Sequence, residues 1–282
     1  MEFQWYPGHM TKAKRAMQED LKLIDVIIEL VDARVPLSSK NPDINPMANG
    51  KSRVILMNKS DLADSQATEK WMAYYEKQGF FVARVNAKSG AGVKNVNEMI
   101  TRACQAKIER DRRRGIKNRP IRAMIVGIPN VGKSTFINSF AKKACTKTGN
   151  KPGVTKGKQW IRLNKNVELL DTPGILWPKF DDQNVGLRLA FIGSIKDELF
   201  NIYELGILLA EYLKKQYPGM VADFYELEEE GEPGELLEAI ARRRGCLKAG
   251  GTLDVDKAGK CLIDDFRNGR IGKISLELPD NL

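Results

Sequence analysis

One glycine-rich segment has the residue types and spacing of a phosphate-binding loop. Residues 127–134 fit the pattern G-x-x-x-x-G-K-[ST] between a strand pattern and a helix pattern. Glycines let backbone N–H groups curl around phosphate oxygens, and the N-terminus of the following helix favours negative charge. Lys133 would then reach the β- and γ-phosphates, and the Ser134 hydroxyl would ligate Mg²⁺. The residues expected to hold the phosphates are Asn130, Val131, Gly132, Lys133, Ser134 and Thr135.

A second motif indicates which base is bound. Asn58-Lys59-Ser60-Asp61 has the spacing N-K-x-D and follows another strand pattern. The Asp61 carboxylate can accept two hydrogen bonds from the ring N–H and the amino group of guanine, and adenine lacks that donor pair. Lys59 would cover the ring face, and Asn58 would brace the phosphate loop. The motif favours GTP and GDP over ATP.

A third element follows the next strand pattern. Asn86-Ala87-Lys88 is similar to the S-A-K element, which offers a backbone N–H to the guanine carbonyl. Asn86 departs from the usual serine, and this departure concerns the role of that residue alone. Three such elements at consecutive strand ends predict a guanine-nucleotide site.

The segment Asp171-Thr172-Pro173-Gly174 fits D-x-x-G and ends the last strand pattern. Asp171 is expected to hold Mg²⁺ through water, and the Gly174 N–H is expected to sense the γ-phosphate. The segment Asp256-Lys257-Ala258-Gly259 also fits D-x-x-G, but it lies in a helical region and is interpreted as a chance match.

A switch threonine is expected between the phosphate loop and Asp171. Thr155 is the candidate, and it would complete the Mg²⁺ shell when GTP is bound. Thr146 and Thr148 remain alternatives.

Alternating strand and helix patterns carry these motifs. Strands are predicted at 24–31, 53–57, 80–85, 121–126, 158–163 and 167–170, and helices over 8–22, 64–78, 93–114 and 132–143. Strands separated by helices imply crossovers, so we predict an α/β fold with a mostly parallel six-stranded sheet. From residue 184 onward, helical patterns at 184–194, 197–217, 233–245 and 253–268 predict a small all-helical domain.

The motifs stand in an unusual order. In Ras-like GTPases the phosphate loop comes first, whereas here residues 58–61 and 86–88 precede residues 127–134. A sheet can keep its geometry after circular permutation, because chain termini lie at the surface and new ones can open elsewhere. We therefore predict a circularly permuted P-loop GTPase domain over residues 1–177 with strand order 5-6-4-1-2-3. The helical domain over 178–282 would follow the second switch directly, and it could dock on RNA through Arg242-Arg243-Arg244 and Lys248 or on protein through its acidic face.

These features resemble the circularly permuted GTPases of ribosome assembly, specifically the bacterial RbgA/YlqF group. The resemblance covers nearly the whole chain, including Trp5-Tyr6-Pro7-Gly8-His9-Met10, Asp32-Ala33-Arg34-Val35-Pro36, the permuted motifs and the helical C-terminal region. It implies a cytoplasmic GTPase that binds the large (50S) ribosomal subunit precursor during late assembly and contacts rRNA.

The group that orients the attacking water is not specified by a motif. Ras-like proteins place a glutamine after D-x-x-G, and Ile175 stands there in this chain. Three candidates stay open: His9, which is the only histidine; a K⁺ ion held by Asn130, whose position resembles that of the K⁺ ligand in potassium-stimulated GTPases; and groups of the ribosomal partner. Expected catalytic residues are thus His9, Lys133 and Thr155.

The composition excludes several classes of protein. With 282 residues, 42% hydrophobic and 29% charged, the chain is not a disordered protein, a collagen or a disulfide miniprotein. No apolar run reaches the ~18–20 residues of a membrane span, and no signal peptide is recognised, so no membrane association is expected. Four cysteines without C-x-x-C pairing read as reduced thiols in the cytoplasm. We expect a monomer when the protein is free.

The net charge of +10 is unevenly distributed. Residues 1–177 carry 32 Lys and Arg against 16 Asp and Glu, whereas residues 178–282 carry 14 against 20. Clustered basic residues favour an RNA phosphate backbone as partner. The first basic cluster comprises Arg102, Lys107, Arg110, Arg112, Arg113, Arg114, Lys117, Arg119 and Arg122, and the second comprises Lys142, Lys143, Lys147, Lys151, Lys156, Lys158, Arg162 and Lys165. The predicted function is a GTPase switch, and the alternative is a nucleotide-gated RNA-binding scaffold with little turnover.

Overall fold

The chain forms two compact units in the computed structural model. The first contains Met1–Gln183 and Ser275–Leu282, and the second contains Asn184–Ile274. The structure describes residues 8–48, 50–116, 119–144, 160–163, 165–171, 182–227 and 231–281. Thr155, Gly174 and Ile175 lie outside these ranges, as does half of the second basic cluster, namely Lys147, Lys151, Lys156 and Lys158.

Within the described residues, the first unit is built on a six-stranded sheet with the order β3-β2-β1-β4-β6-β5. The strands are β1 (Val26–Asp32), β2 (Ser52–Asn58), β3 (Phe81–Arg84), β4 (Ile121–Val126), β5 (Trp160–Arg162) and β6 (Val167–Asp171). All neighbouring pairs are parallel except β5 with β6. Read from the other edge, this order is the predicted one, so the permuted α/β fold is confirmed.

Helices cover both faces of this sheet. They are α1 (Gly8–Leu21), the single turn α2 (Ile44–Met47), α3 (Ser65–Lys77), α4 (Val96–Ala103), α5 (Gln105–Arg113) and α6 (Lys133–Ala144). The one helix predicted over 93–114 is wrong in detail, because it divides into a short 3₁₀ turn, α4 and α5. The break falls at the buried Cys104, whose N–H is shared between the carbonyls of Ile100 and Thr101 at 3.1 and 3.2 Å.

Two apolar clusters hold the helices on the sheet. Met17 and Leu21 of α1 pack with Ile27 of β1 on one face. Farther along the same face, Trp71 and Tyr75 of α3 cover a cluster that also includes Val31 of β1 and residues of β2. Every residue of β1 is buried, as expected for a parallel strand with both faces covered.

The last residues of the chain return to the first unit. The sequence assigned all of 178–282 to the helical domain, whereas the second unit ends at Ile274. The Glu277 carboxylate accepts hydrogen bonds from the backbone N–H groups of Leu37 and Ser38 at 2.8 and 3.0 Å. The Trp71 indole N–H donates to the Glu277 carbonyl at 3.0 Å. These are long-range contacts, which local sequence patterns do not reveal.

The second unit has helices in all four segments predicted from the sequence, and its described residues include a further helix over 220–225 that was not predicted. Its elements are α7 (Gln183–Phe191), α8 (Ile202–Gln216), α9 (Met220–Tyr225), α10 (Pro233–Arg244) and α11 (Val255–Arg267). Helices α8 and α11 cross where Gly206 faces Gly259, and a Cβ on Gly206 would lie 2.8 Å from the Gly259 Cα. The glycine pair therefore allows the close approach of these two helices.

Candidate nucleotide-binding site

The segment 127–132 connects the end of β4 to the start of α6, as a phosphate-binding loop does. Two of its glycines are sterically required. A Cβ on Gly127 would lie 2.7 Å from the Leu30 carbonyl oxygen, and a Cβ on Gly132 would lie 2.4 Å from the Asn58 Nδ2 atom. Gly132 also has a φ of +99°, which other residues rarely adopt. The loop backbone is thus packed directly on β1 and on the residue that ends β2.

Lys133 lies at the first position of α6 and is 9% exposed. Its Nζ donates hydrogen bonds to the carbonyls of Gly127 and Ile128 at 3.1 and 3.0 Å. The ammonium group is therefore held at the loop itself. Ser134 and Thr135 follow in the first turn of α6, and both are exposed. This arrangement brings a cation, a hydroxyl group and a helix N-terminus to one place, which suits a polyphosphate.

Asn58, at the end of β2, joins the phosphate loop to the loop that follows β3. It is 2% exposed. Its Nδ2 donates to the Val131 carbonyl at 2.8 Å, and its Oδ1 accepts from the Ala87 N–H at 3.0 Å. One buried amide group thus fixes the distance between two loops that come from different strands. Any ligand that spans both loops meets a preorganised surface.

Lys59 contacts the phosphate loop from the same strand end. Its Nζ donates to the Asn130 carbonyl at 3.0 Å and lies 3.0 Å from the Asp32 carboxylate. Both Lys59 and Asn130 have left-handed backbone conformations, with φ of 56° and 58°. Because the ammonium group is held by the Asn130 carbonyl and the Asp32 carboxylate, the aliphatic part of Lys59 has a defined position beside the loop.

Asp32 and Arg34 form a buried ion pair that sequence reasoning missed as part of the site. Asp32 ends β1 and is 0% exposed, and Arg34 is 1% exposed. The Arg34 Nε and Nη2 atoms donate to the two Asp32 oxygens at 2.9 Å each. The available signal was an acidic residue directly after an apolar strand, but its partners are set by tertiary structure. We call Asp32, Arg34 and Lys59 the charge triad.

The electrostatics of the charge triad favour an ionised carboxylate. Burial would raise the pKa of Asp32, but the charges of Arg34 and Lys59, with their hydrogen bonds, lower this pKa well below its ordinary value. Asp32 is therefore an anion at neutral pH, and it holds the Lys59 ammonium group against the site.

The base-recognition residues lie on the loops that follow β2 and β3. Asp61 is exposed, so its carboxylate is accessible to a ligand. The Asn86 Oδ1 atom accepts hydrogen bonds from the N–H groups of Lys88 and Ser89 at 2.9 and 3.0 Å. Asn86 thus shapes its own loop through a local turn, a task that serine and asparagine side chains share. The Ala87 N–H is the one that Asn58 engages.

The structure brings the predicted motifs to one edge of the sheet. Asn58 ends β2, Asn86 follows β3, Gly127 follows β4 and Asp171 ends β6, and these strands are parallel. Their carboxyl ends therefore share one edge, which is where open α/β sheets bind ligands. His9 lies in α1.

The second D-x-x-G match belongs to the other unit. Asp256 lies in the first turn of α11, in the second unit, which agrees with its interpretation as a chance match. Thr155 and Gly174 belong to the residues that the structure leaves undescribed.

The donors present fit a guanine nucleotide with a divalent cation. The glycine cradle and Lys133 suit phosphate oxygens, the exposed Ser134 hydroxyl suits Mg²⁺, and the Asp61 carboxylate suits the donor pair of guanine. Within the described residues, no helix is long and apolar enough to cross a membrane.

Comparison with known proteins identifies similar chains. A family model described as a 50S ribosome-binding GTPase matches residues 122–227. Ribosome biogenesis GTPase A of Bacillus cereus is 48% identical over 281 residues, which cover 99% of this chain and 95% of that protein. A GDP-bound structure of TM YlqF has a TM-score of 0.70 and 28% identity, with 94% of this chain and 100% of that chain covered. A GNP-bound YlqF from T. maritima has a TM-score of 0.66 and 30% identity, with coverage of 95% and 99%.

Proposed function

Because this chain belongs to the ribosome biogenesis GTPase A family, we propose that it is a nucleotide-controlled switch in late assembly of the large (50S) ribosomal subunit. It is a GTPase and a GTP-binding ribosome assembly factor. The observation that carries the switch proposal is the position of Asn58, which links the phosphate loop to the base-recognition loop. A change in the position of the phosphate loop would therefore be transmitted through Asn58 to the loop that follows β3.

Each residue of the site has a distinct task in this proposal. Asp61 selects guanine by accepting two hydrogen bonds, and Lys59, oriented by Asp32, covers the ring face. Lys133 leaves its loop carbonyls to neutralise the β- and γ-phosphates, and Gly132 lets backbone N–H groups approach them. These contacts position the phosphates and stabilise the charge that develops during hydrolysis.

Mg²⁺ is the proposed cofactor, held by Ser134 and Thr155 directly and by Asp171 through water. When bound, it neutralises charge on the phosphate oxygens. Asp171 ends β6 at the nucleotide edge, which supports its part in this set. The Gly174 N–H is proposed to sense the γ-phosphate.

Two groups are proposed to assist the attack of water. His9 would orient or deprotonate the water, and Asn130 would hold a K⁺ ion that offsets developing charge. Single-turnover hydrolysis by His9→Ala, with GTP binding measured alongside, tests the first; an unchanged rate removes His9 from the mechanism. Rates in KCl and NaCl at equal ionic strength test the second, and equal rates contradict a role for K⁺.

The proposed partners are the 50S precursor and its rRNA, met in the cytoplasm by a monomer. The uneven charge supports an RNA partner for the first unit. Sedimentation of the protein with large subunits in GDP, GTP and a non-hydrolysable analogue tests this proposal. We expect stronger co-sedimentation with the GTP forms and faster GTP hydrolysis with subunits present. Co-sedimentation that is absent or independent of nucleotide contradicts the switch.

A further inference from the structure

Two cavities of about 450 and 650 Å³ lie along α5, away from the nucleotide site. They share Lys107, Asp111 and Arg119 in their linings, so they are two parts of one depression, which we call the α5 groove. The charged residues that line it along α5 and its exit are Lys107, Arg110, Asp111, Arg112, Arg114 and Arg119.

The α5 groove lies at the amino-terminal edge of the sheet. Its other lining residues include Asp25 just before β1, Ser52 at the start of β2, Ile121 at the start of β4 and Asn166 just before β6. Because these strands are parallel, their starts share one edge and the nucleotide motifs share the other. Strand β4 alone separates the edges by about 20 Å, at ~3.3 Å per residue. The two sites therefore cannot bind the same phosphate.

Two carboxylates give the groove a fixed frame. Asp25 lies 3.5 Å from the Lys107 Nζ and 3.6 Å from Arg119, and it also accepts a hydrogen bond from the Arg122 N–H at 3.0 Å. Asp111 accepts a hydrogen bond from Lys107, and this bond lowers the pKa of Asp111. Asp25 is thus paired with Lys107 and Arg119, and Asp111 is paired with Lys107.

The remaining arginines of the groove are available to a ligand. Arg110, Arg112 and Arg114 are exposed, and within the part of the chain that the structure describes they form no ion pair. The arginines of α10 differ, because Arg242 pairs with Glu238 and Arg244 with Asp265, at 2.9 Å each. These basic residues of α10 form ion pairs within their own unit, whereas the basic residues of α5 named above are exposed to solvent.

We propose that the α5 groove binds the sugar–phosphate backbone of RNA, an inference that deepens the proposed rRNA contact and rests on it. Guanidinium groups pair with phosphate oxygens in a bidentate manner. Arg110 and Arg114 are one helical turn apart, about 5–6 Å, so they can engage neighbouring phosphates of one strand. Exposed Ile116 and the nearby Ile108 offer apolar surface to the sugars.

The test compares two double variants of the full chain. Arg110→Gln/Arg114→Gln removes two charges from the groove, and Lys77→Gln/Lys94→Gln removes two exposed charges elsewhere on the first unit. Binding to a fluorescein-labelled RNA duplex is measured by anisotropy over a range of KCl concentrations. Thermal unfolding and affinity for a fluorescent GDP analogue are measured for each protein, and both should match wild type because the groove lies at the other edge of the sheet.

The expected result is quantitative. Log affinity falls with log salt concentration, and each lost phosphate contact makes this slope shallower by about 0.9. The slope of the groove variant should therefore be shallower by about 1.8, and its affinity at 0.1 M salt should be about 60-fold weaker. The control variant should keep the wild-type slope.

If wild type binds RNA and both variants bind equally well, the groove is not the site, although the proposed RNA contact stands. If wild type does not bind the duplex or purified rRNA, the proposed contact itself fails. If the groove variant loses binding to poly-L-glutamate but keeps RNA binding, the groove is a surface for acidic protein and the proposal is wrong.

Discussion

Replacement of Asp32 by asparagine tests the charge triad most directly. The side chain keeps its shape but loses its charge, which removes the carboxylate that pairs with the buried Arg34 guanidinium. Removing one partner of a buried ion pair typically costs about 3–5 kcal/mol. That is a large part of the ~5–15 kcal/mol by which a protein of this kind is stable. At about 2–4 °C per kcal/mol, we expect the melting temperature to fall by roughly 6–20 °C.

A second variant separates the stability of the fold from the position of Lys59. In Asp32→Asn/Arg34→Met the buried guanidinium is also removed, and a buried pair replaced by apolar groups is often neutral for stability. The double variant should therefore recover most of the lost stability. Lys59 is a quarter exposed and still lacks its carboxylate partner, so its position beside the loop is less restricted. We expect GDP affinity to stay about 3- to 10-fold below wild type, a loss of up to about 1.4 kcal/mol.

The same pair predicts a dependence of stability on pH. The pKa of Asp32 is lower in the folded chain than in the unfolded chain, because Arg34 and Lys59 outweigh the effect of burial. Its charge thus stabilises the fold above the unfolded pKa of about 4, and this contribution is lost as pH falls through the lower folded value. Wild type should lose stability on acidification below about pH 4 more steeply than the double variant.

The assays are urea unfolding and titration of a fluorescent GDP analogue, both with the full chain. The reasoning is refuted if Asp32→Asn unfolds within about 1 kcal/mol of wild type, since removal of the carboxylate from this buried ion pair should cost more than that. It is also refuted if the double variant regains full GDP affinity, because Lys59 would then need no orienting carboxylate.

Three further predictions concern the remaining contacts. Gly132→Ala should weaken GDP binding at least about tenfold, because the new Cβ would displace Asn58 and the φ of +99° strains alanine; equal affinity in titration would contradict this. Asp61→Asn should lower GDP affinity by about 10²–10⁴-fold, from two charge-assisted bonds of ~1.5–3 kcal/mol each, and raise affinity for xanthosine diphosphate; competition titration with both nucleotides checks it. Glu277→Gln should destabilise the first unit by about 1.5–3 kcal/mol, whereas Asp280→Asn, which affects an exposed ion pair, should change it by under about 1 kcal/mol; melting curves that rank them in reverse would show that the tail is not held through Glu277.

Local patterns were enough to predict the sheet and the positions of the motifs. The phosphate loop and the N-K-x-D motif each follow a strand, and motif order alone implied the strand order, because every parallel strand contributes its carboxyl end to one edge. The charge triad could not be predicted in this way. Asp32 was visible as the end of a strand, but its bond to Lys59 depends on β1 and β2 being neighbours in register, with Asp32 opposite Asn58.

The departures from prediction have a common physical cause. The break at Cys104 and the return of the chain at Glu277 both depend on partners distant in sequence or on a shared hydrogen bond, and neither alters hydrophobic periodicity. A pattern of apolar residues indicates which face of an element is buried, but it does not indicate where the chain must turn back to satisfy a buried donor. The predicted helical domain, 178–282, therefore included the last segment of the chain, 275–282, which belongs to the first unit and contains Glu277.

The placement of the two sites constrains how the switch can work. The strands between the α5 groove and the nucleotide edge are buried over most of their length, and close-packed interiors do not deform continuously. RNA held in the α5 groove would thus be held with similar strength in either nucleotide state. We therefore expect nucleotide dependence to come from the carboxyl edge, where Asp171 ends β6 and where the second switch is proposed to begin. A constant anchor at one edge and a variable contact at the other would let the protein stay on its particle while its nucleotide changes, and leave only when the variable contact is lost.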